Sequence, residues 1–310
     1  MGGSEAKIEI FKPLGEAFEL MKKILFQPFD LGKWCVIGFA AFLSHFSGGG
    51  FNFRFNPGSN WWNAARGSPT GQFPGWAIAL IIVGAIVAFA VALVLLWIGA
   101  RGRFMFIDCV VRNSGAIVEP WQEYRKEGNS VFLFTLLVGL IFAGLIIAGT
   151  VPAVLSMRCY HEGVPVGLIV DLATFVPLFV TLLVAWVFIA HFLTPLMYRQ
   201  RCKALTALRH VISIVDEHPG PIILYCLFCL FLGLALIFPM MFLMCATCCI
   251  VAIPYVGTVI LLPMHVFFQG FLLLFLRQFG SDYDVWAGIT QAPPPLPAST
   301  LPIPPTPPPM

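Results

Sequence analysis

The chain has 310 residues, a formal net charge of +3, 59% hydrophobic residues and only 11% charged ones. Soluble domains carry roughly 25% charged residues, so most side chains here must be solvated by lipid or by one another. That excludes a water-soluble globule, and the small positive balance, explained by loops facing anionic lipid, leaves no nucleic-acid footprint.

Residues 1–33 form an amino-terminal segment in which Leu14, Phe18, Met21 and Leu25 fall on one helical face, with Glu16, Glu19, Lys22 and Lys23 on the others. This spacing predicts an amphipathic helix lying flat at the headgroups. The apolar stretch 34–46 is short but follows 33 residues with five acids and precedes no Ala-x-Ala site, so a retained anchor is expected rather than a cleaved leader. Residues 76–100 and 131–156 are apolar runs of 25 and 26 residues. At about 1.5 Å per residue, each exceeds a ~30 Å hydrocarbon core. The stretches 166–198 and 221–254 are too long for single upright helices and are divided near Pro177 and Cys245, placing spans at 177–198 and 221–244. The last span is 255–276.

Six crossings with both termini in the cytoplasm put fifteen of the eighteen Lys and Arg on the inner side. Losing the first crossing would move five lysines outward and discard the usual inner excess. The expected architecture is therefore all-α and polytopic: a 34–280 domain of six transmembrane helices in the cell (inner) membrane. The inner segments 101–130 and 199–219 repeat the amphipathic spacing, with Phe104, Ile107 and Val111 in one and Leu205, Leu208, Val211 and Ile212 in the other. The chain thus reads as three membrane hairpins, each preceded by a cytoplasmic surface helix. Loops that are amphipathic by chance would read the same way.

The segments LFQPFDLGKW (25–34), RGRFMFID (101–108), Glu119 to Trp121, Gly128 to Ser130, PLMY (195–198), PYVGT (254–258), Pro263 and Gln278 to Gly280 resemble a family of uncharacterised prokaryotic polytopic membrane proteins. The layout is similar, more loosely, to the membrane domain of some glycerophosphodiester phosphodiesterases. The resemblance implies a six-span fold and a prokaryotic source and specifies no chemistry; phosphodiesterase activity is not carried over.

Few ionisable groups interrupt the spans. His265 with Gln269 one turn on, and His191 on the fourth span, form a candidate intramembrane polar site, while Pro263 frees a backbone carbonyl that needs a partner. Asp171 sits in the outer approach to the fourth span. These polar groups are either interhelical hydrogen bonds or a path for a solute. The stripes Gly84, Ala88, Ala92 and Gly139, Ala143 recur every four positions and predict close helix packing.

Cys226, Cys229, Cys245 and Cys248 have a zinc-ribbon spacing, but Cys226 and Cys245 stand about 28 Å apart along one helix, so no shared metal is expected. Cys159, Cys245, Cys248 and Cys249 are candidate outer thiols; they are either small buried hydrophobes or, for Cys159 with one of the others, a bridge. The outer loop 47–75, rich in Gly, Asn and aromatics, is either an interfacial anchor or a partner-binding or self-pairing edge. Residues 281–310, with ten prolines in the last eighteen positions, predict a disordered cytoplasmic tail, a tether or docking peptide.

Metalloprotease, hydrolase and P-loop motifs do not occur, and neither enzyme activity nor a cofactor is expected. The sequence favours a membrane-organising or assembly component, with membrane lipids, a protein partner through the 47–75 loop or the tail, or a second copy as its partners. The alternative is a small-solute or lipid transporter with a site near His265. Water-accessible volume reaching His265 and Gln269 separates the two.

Overall fold

The computed structural model describes residues 9–46, 75–159, 166–247, 251 and 253–287. Every regular element among them is a helix: α1 Phe11–Leu25, α2 Leu31–Phe46, α3 Gly75–Arg112, α4 Val118–Glu123, α5 Arg125–Cys159, α6 Val166–Gln200, α7 Ala204–Glu217, α8 Pro219–Ala246, α9 Pro254–Ile260 and α10 Leu262–Arg277. The expected 47–75 loop lies outside the described residues up to position 74, as does the tail beyond 287. Residues 281–287, assigned to that tail from composition, pack on the helices: Val285 is buried and Asp284 pairs with Arg277 at 3.2 Å.

Four helices, α3, α5, α6 and α8, are long and apolar enough to cross a membrane. The 16-residue α2 and α10 rise about 24 Å each, less than the ~30 Å core. The apolar lengths of the four long helices are largely exposed, with Ile82, Phe89, Leu140, Phe231 and Phe238 all bare on the protein surface. Such a surface is stable only in lipid.

The buried core sits at one end. It is built from residues 100–111 of α3, 192–198 of α6, the first turns of α8, nearly all of α10 and one face each of α1 and α7. Among the four long helices, α5 and α6 also meet outside this core, through Phe134 on Trp186 and Phe142 on Phe179.

The motif segments converge in this basal layer. Asp108, 1% exposed, accepts a hydrogen bond from the Tyr198 hydroxyl at 2.9 Å and pairs with Arg112 at 2.9 Å. Arg112 and Arg201 both reach Glu123. The Arg101 guanidinium lies over the rings of Trp97 and Trp121 at 4.2 and 5.0 Å and donates to Asn129 at 3.0 Å. The Ser130 hydroxyl accepts the Ala204 N–H, joining the start of α7 to α5. Asp30 caps α2 through the N–H groups of Gly32 and Lys33, a device worth about 1 kcal/mol. Gln278 exchanges two 2.8 Å hydrogen bonds with the backbone of Glu9.

Several expectations change. The segment after residue 100 is a continuation of α3, buried at Phe104, Ile107 and Val111, and so does not lie flat at the headgroups; the helix ends at Arg112, and Asn113 takes a left-handed φ of 53°. α6 runs unbroken through Pro177 and Pro195, whereas α8 ends at Ala246, close to the expected division at Cys245. The last apolar run is split at Leu261 into α9 and α10.

The buried faces of α1 and α7 keep only part of the hydropathy stripes, with Met21, Leu25 and Val211 buried. Ala17, Met21 and Ile24 face α10 while Phe18 is exposed, and Ala204, Ala207 and Val211 are buried while Leu205 and Ile212 face out. Helices in close contact select small side chains, and the large ones turn toward lipid. Gly84 and Gly139, expected at close contacts, have no atoms of the described residues near an added Cβ. The tight approach occurs at Gly102, where a Cβ would stand 2.7 Å from Leu43 Cβ and 2.8 Å from the Ser44 nitrogen.

Candidate functional site

The Gly102 contact brings the end of α2 against α3 where both face α6 and α10. Between these helices is a cavity of about 540 Å³ whose wall includes His45, Arg103, Thr135, His191, His265 and Gln269. The three polar residues singled out from the sequence, His265, Gln269 and His191, therefore line one space.

His265 is placed by the break before α10. Leu261 ends α9, and its carbonyl then accepts both the His265 N–H at 3.2 Å and the ring Nδ1 at 2.9 Å. The ring reaches across to His45, Nε2 to Nε2 at 3.0 Å, and His45 Nδ1 lies 2.6 Å from the Ala41 carbonyl. The chain from Ala41 through the two rings to Leu261 thus has three contacts, each needing one hydrogen. Two neutral imidazoles supply one hydrogen each. A third proton completes the chain and makes the pair cationic; without it one contact is lost.

Gln269 follows one turn after His265, and its Nε2 is buried without a hydrogen-bond partner. His191 comes from α6 and stands 3.5 Å from the Tyr225 hydroxyl, at the outer limit of a hydrogen bond. Arg103 arrives from α3. Two residues along a helix turn by roughly 200°, so Arg101 faces the Trp97 and Trp121 rings and Arg103 faces the cavity. Apolar wall comes from Phe106, Leu183, Trp186 and Phe268.

His45 and Arg103 were not anticipated as site residues. His45 lies at the end of the weakest apolar stretch, and Arg103 was counted among the inner-loop charges. The available signal was helical phase, which sends Arg101 and Arg103 to opposite sides of α3. Of the outer thiols, Cys245 is free and exposed; the side chain of Cys159, and all of Cys248 and Cys249, lie outside the described residues, as does the Asp171 side chain. Cys226 and Cys229 are free, and among the described residues no cluster of three or more His, Cys, Asp or Glu is placed to hold a metal.

A family model described as Family of unknown function (DUF7544) matches residues 8–276. The chain belongs to the DUF7544 family. The DUF7544 match starts just before α1 and ends within the last turn of α10, so it contains the basal core and every cavity residue named above. No curated protein and no solved structure matches the chain, and the looser likeness to a phosphodiesterase membrane domain gains no support.

Proposed function

We propose that this DUF7544 protein is a non-catalytic membrane protein that binds, and moves, a small solute or lipid through the cavity between α2, α3, α6 and α10. The observation that carries this reading is the space reaching His265 and Gln269, since a component that only organises the membrane has no need of a hollow lined by polar groups from five helices. Polar groups beside apolar walls and lipid are costly unless they serve a site or pair with each other. The sorted Lys and Arg support a cell-membrane location with the basal layer on the cytoplasmic side and six crossings in three hairpins.

The reading is tested with single-cysteine variants in a cysteine-free background. Ala190→Cys, in the cavity wall, is expected to react with a small water-soluble thiol reagent far faster than Ile82→Cys on the bare surface of α3. Equal inertness of the two would return the protein to an assembly role. That second reading is favoured by one feature, the exposed and unpacked Gly84, Ala88, Ala92 stripe, a surface suited to a second copy or another membrane helix.

A further inference from the structure

We propose that the cavity receives a phosphate group, with Arg103 as its counter-ion, an inference that rests on the cavity being a binding site. The wall holds one arginine and three histidines and no aspartate or glutamate. No carboxylate among the described residues forms an ion pair with Arg103. Asp108, the acid on the same helix, is committed to Arg112 and Tyr198. A guanidinium left without an anion beside apolar walls and lipid is costly, and a bound anion removes that cost.

The neutral groups point the same way. The buried Gln269 Nε2 lacks an acceptor, and a phosphate oxygen supplies one. Thr135 and Thr194 add hydroxyls to the wall. Arginine's planar fork satisfies two oxygens of one phosphate and leaves others for neighbouring donors. The space of about 540 Å³ is far larger than a phosphate ion fills and lies within the ~300–1,000 Å³ range of sites for larger organic ligands. Phe106, Leu183, Trp186 and Phe268 line the remainder, which suits hydrocarbon attached to the phosphate. The phosphate comes either from a lipid headgroup or from a free phosphate.

The test uses the full-length protein in phosphatidylcholine nanodiscs, titrated separately with short-chain phosphatidic acid, with diacylglycerol of the same chains and with inorganic phosphate. Binding is read as the shift in thermal unfolding midpoint and checked by native mass spectrometry. The expected result is saturable binding of phosphatidic acid, at least tenfold weaker binding of diacylglycerol, and at least tenfold loss for phosphatidic acid in Arg103→Gln; this assigns the lipid headgroup as source. Inorganic phosphate binding as tightly as phosphatidic acid, with the same dependence on Arg103, also supports the proposal and assigns free phosphate. Equal binding of phosphatidic acid and diacylglycerol overturns phosphate recognition while leaving a binding cavity. Binding of none of the three overturns the phosphate proposal, while the cavity reading stands or falls on the labelling of Ala190→Cys. Should Arg103→Gln not fold, the wild-type comparison still decides, and Gln269→Leu is expected to weaken phosphatidic acid severalfold without changing diacylglycerol.

Discussion

The indole Nε1 of Trp34 donates a 3.0 Å hydrogen bond to the carbonyl of Val259, the carbonyl that Pro263, four residues on, leaves without a helical donor. Proline has no N–H to continue the ladder, and in a lipid environment an unmet carbonyl is expensive. Trp34 thus makes the split between α9 and α10 tolerable, and the split aims His265 at His45. Tyr255 reinforces the arrangement by donating to the Cys35 carbonyl at 3.2 Å.

Trp34→Phe keeps the ring contacts with Phe26 and Phe29 while removing the donor. Stranding the carbonyl is expected to cost about 1–3 kcal/mol, read as a lower thermal unfolding midpoint in detergent. In a Pro263→Ala background the helix supplies its own donor to Val259, and the cost of Trp34→Phe should fall by more than half. Equal costs in the two backgrounds would show that this hydrogen bond is not their source.

Asp108 ties α3 to α6 through a buried carboxylate. It is 1% exposed, and its partner Arg112 is 34% exposed and also meets Glu119 and Glu123. Tyr198→Phe is expected to cost about 1.5–3 kcal/mol, the range for a hydrogen bond to a charged group. Asp108→Ala should cost more, approaching about 3 kcal/mol or above, because it removes the acceptor of Tyr198 and the buried partner of Arg112 together. Chemical unfolding in mild detergent ranks the two; a milder effect for Asp108→Ala would place the stabilisation outside this triad.

Much of this site was legible because polar residues are rare in apolar runs: His191, His265 and Gln269 stood out, and the carbonyl freed by Pro263 called for a partner. The identity of that partner was not legible, since Trp34 lies more than two hundred residues away. Nor were the contact faces. Hydropathy ranks leucine above alanine, so it places Leu205 and Phe18 on the lipid-facing side of surface helices and is silent about the contacts that Ala207 and Ala17 take. Four-residue spacing of small side chains says that two helices are able to approach closely, and only the fold says which glycines meet a neighbour.

Gly102 and Gly84 separate these cases. Gly102→Val drives a side chain into the backbone of Leu43 and Ser44, whereas Gly84 has open space around it. The expected outcome is loss of monodisperse protein in size-exclusion chromatography for Gly102→Val. Gly84→Val should alter monomer stability by no more than about 0.5 kcal/mol. If Gly84→Val instead changes the particle mass, the bare stripe on α3 is an interface between copies.

Cys202 and Cys245 report on orientation and burial at once. Cys202, in the short connection before α7, has its thiol pushed above the usual value by burial, and only the thiolate reacts. A raised value means less thiolate at neutral pH, so labelling of a Cys202-only variant in permeabilised cells should be slower than that of an unperturbed thiol and should climb steeply as pH rises toward 9. Cys245 lies exposed near the far end of α8. With the basal layer facing the cytoplasm, an impermeant maleimide should label a Cys245-only variant in intact cells and reach Cys202 only after permeabilisation. Labelling of Cys202 in intact cells, with Cys245 protected, would invert the orientation.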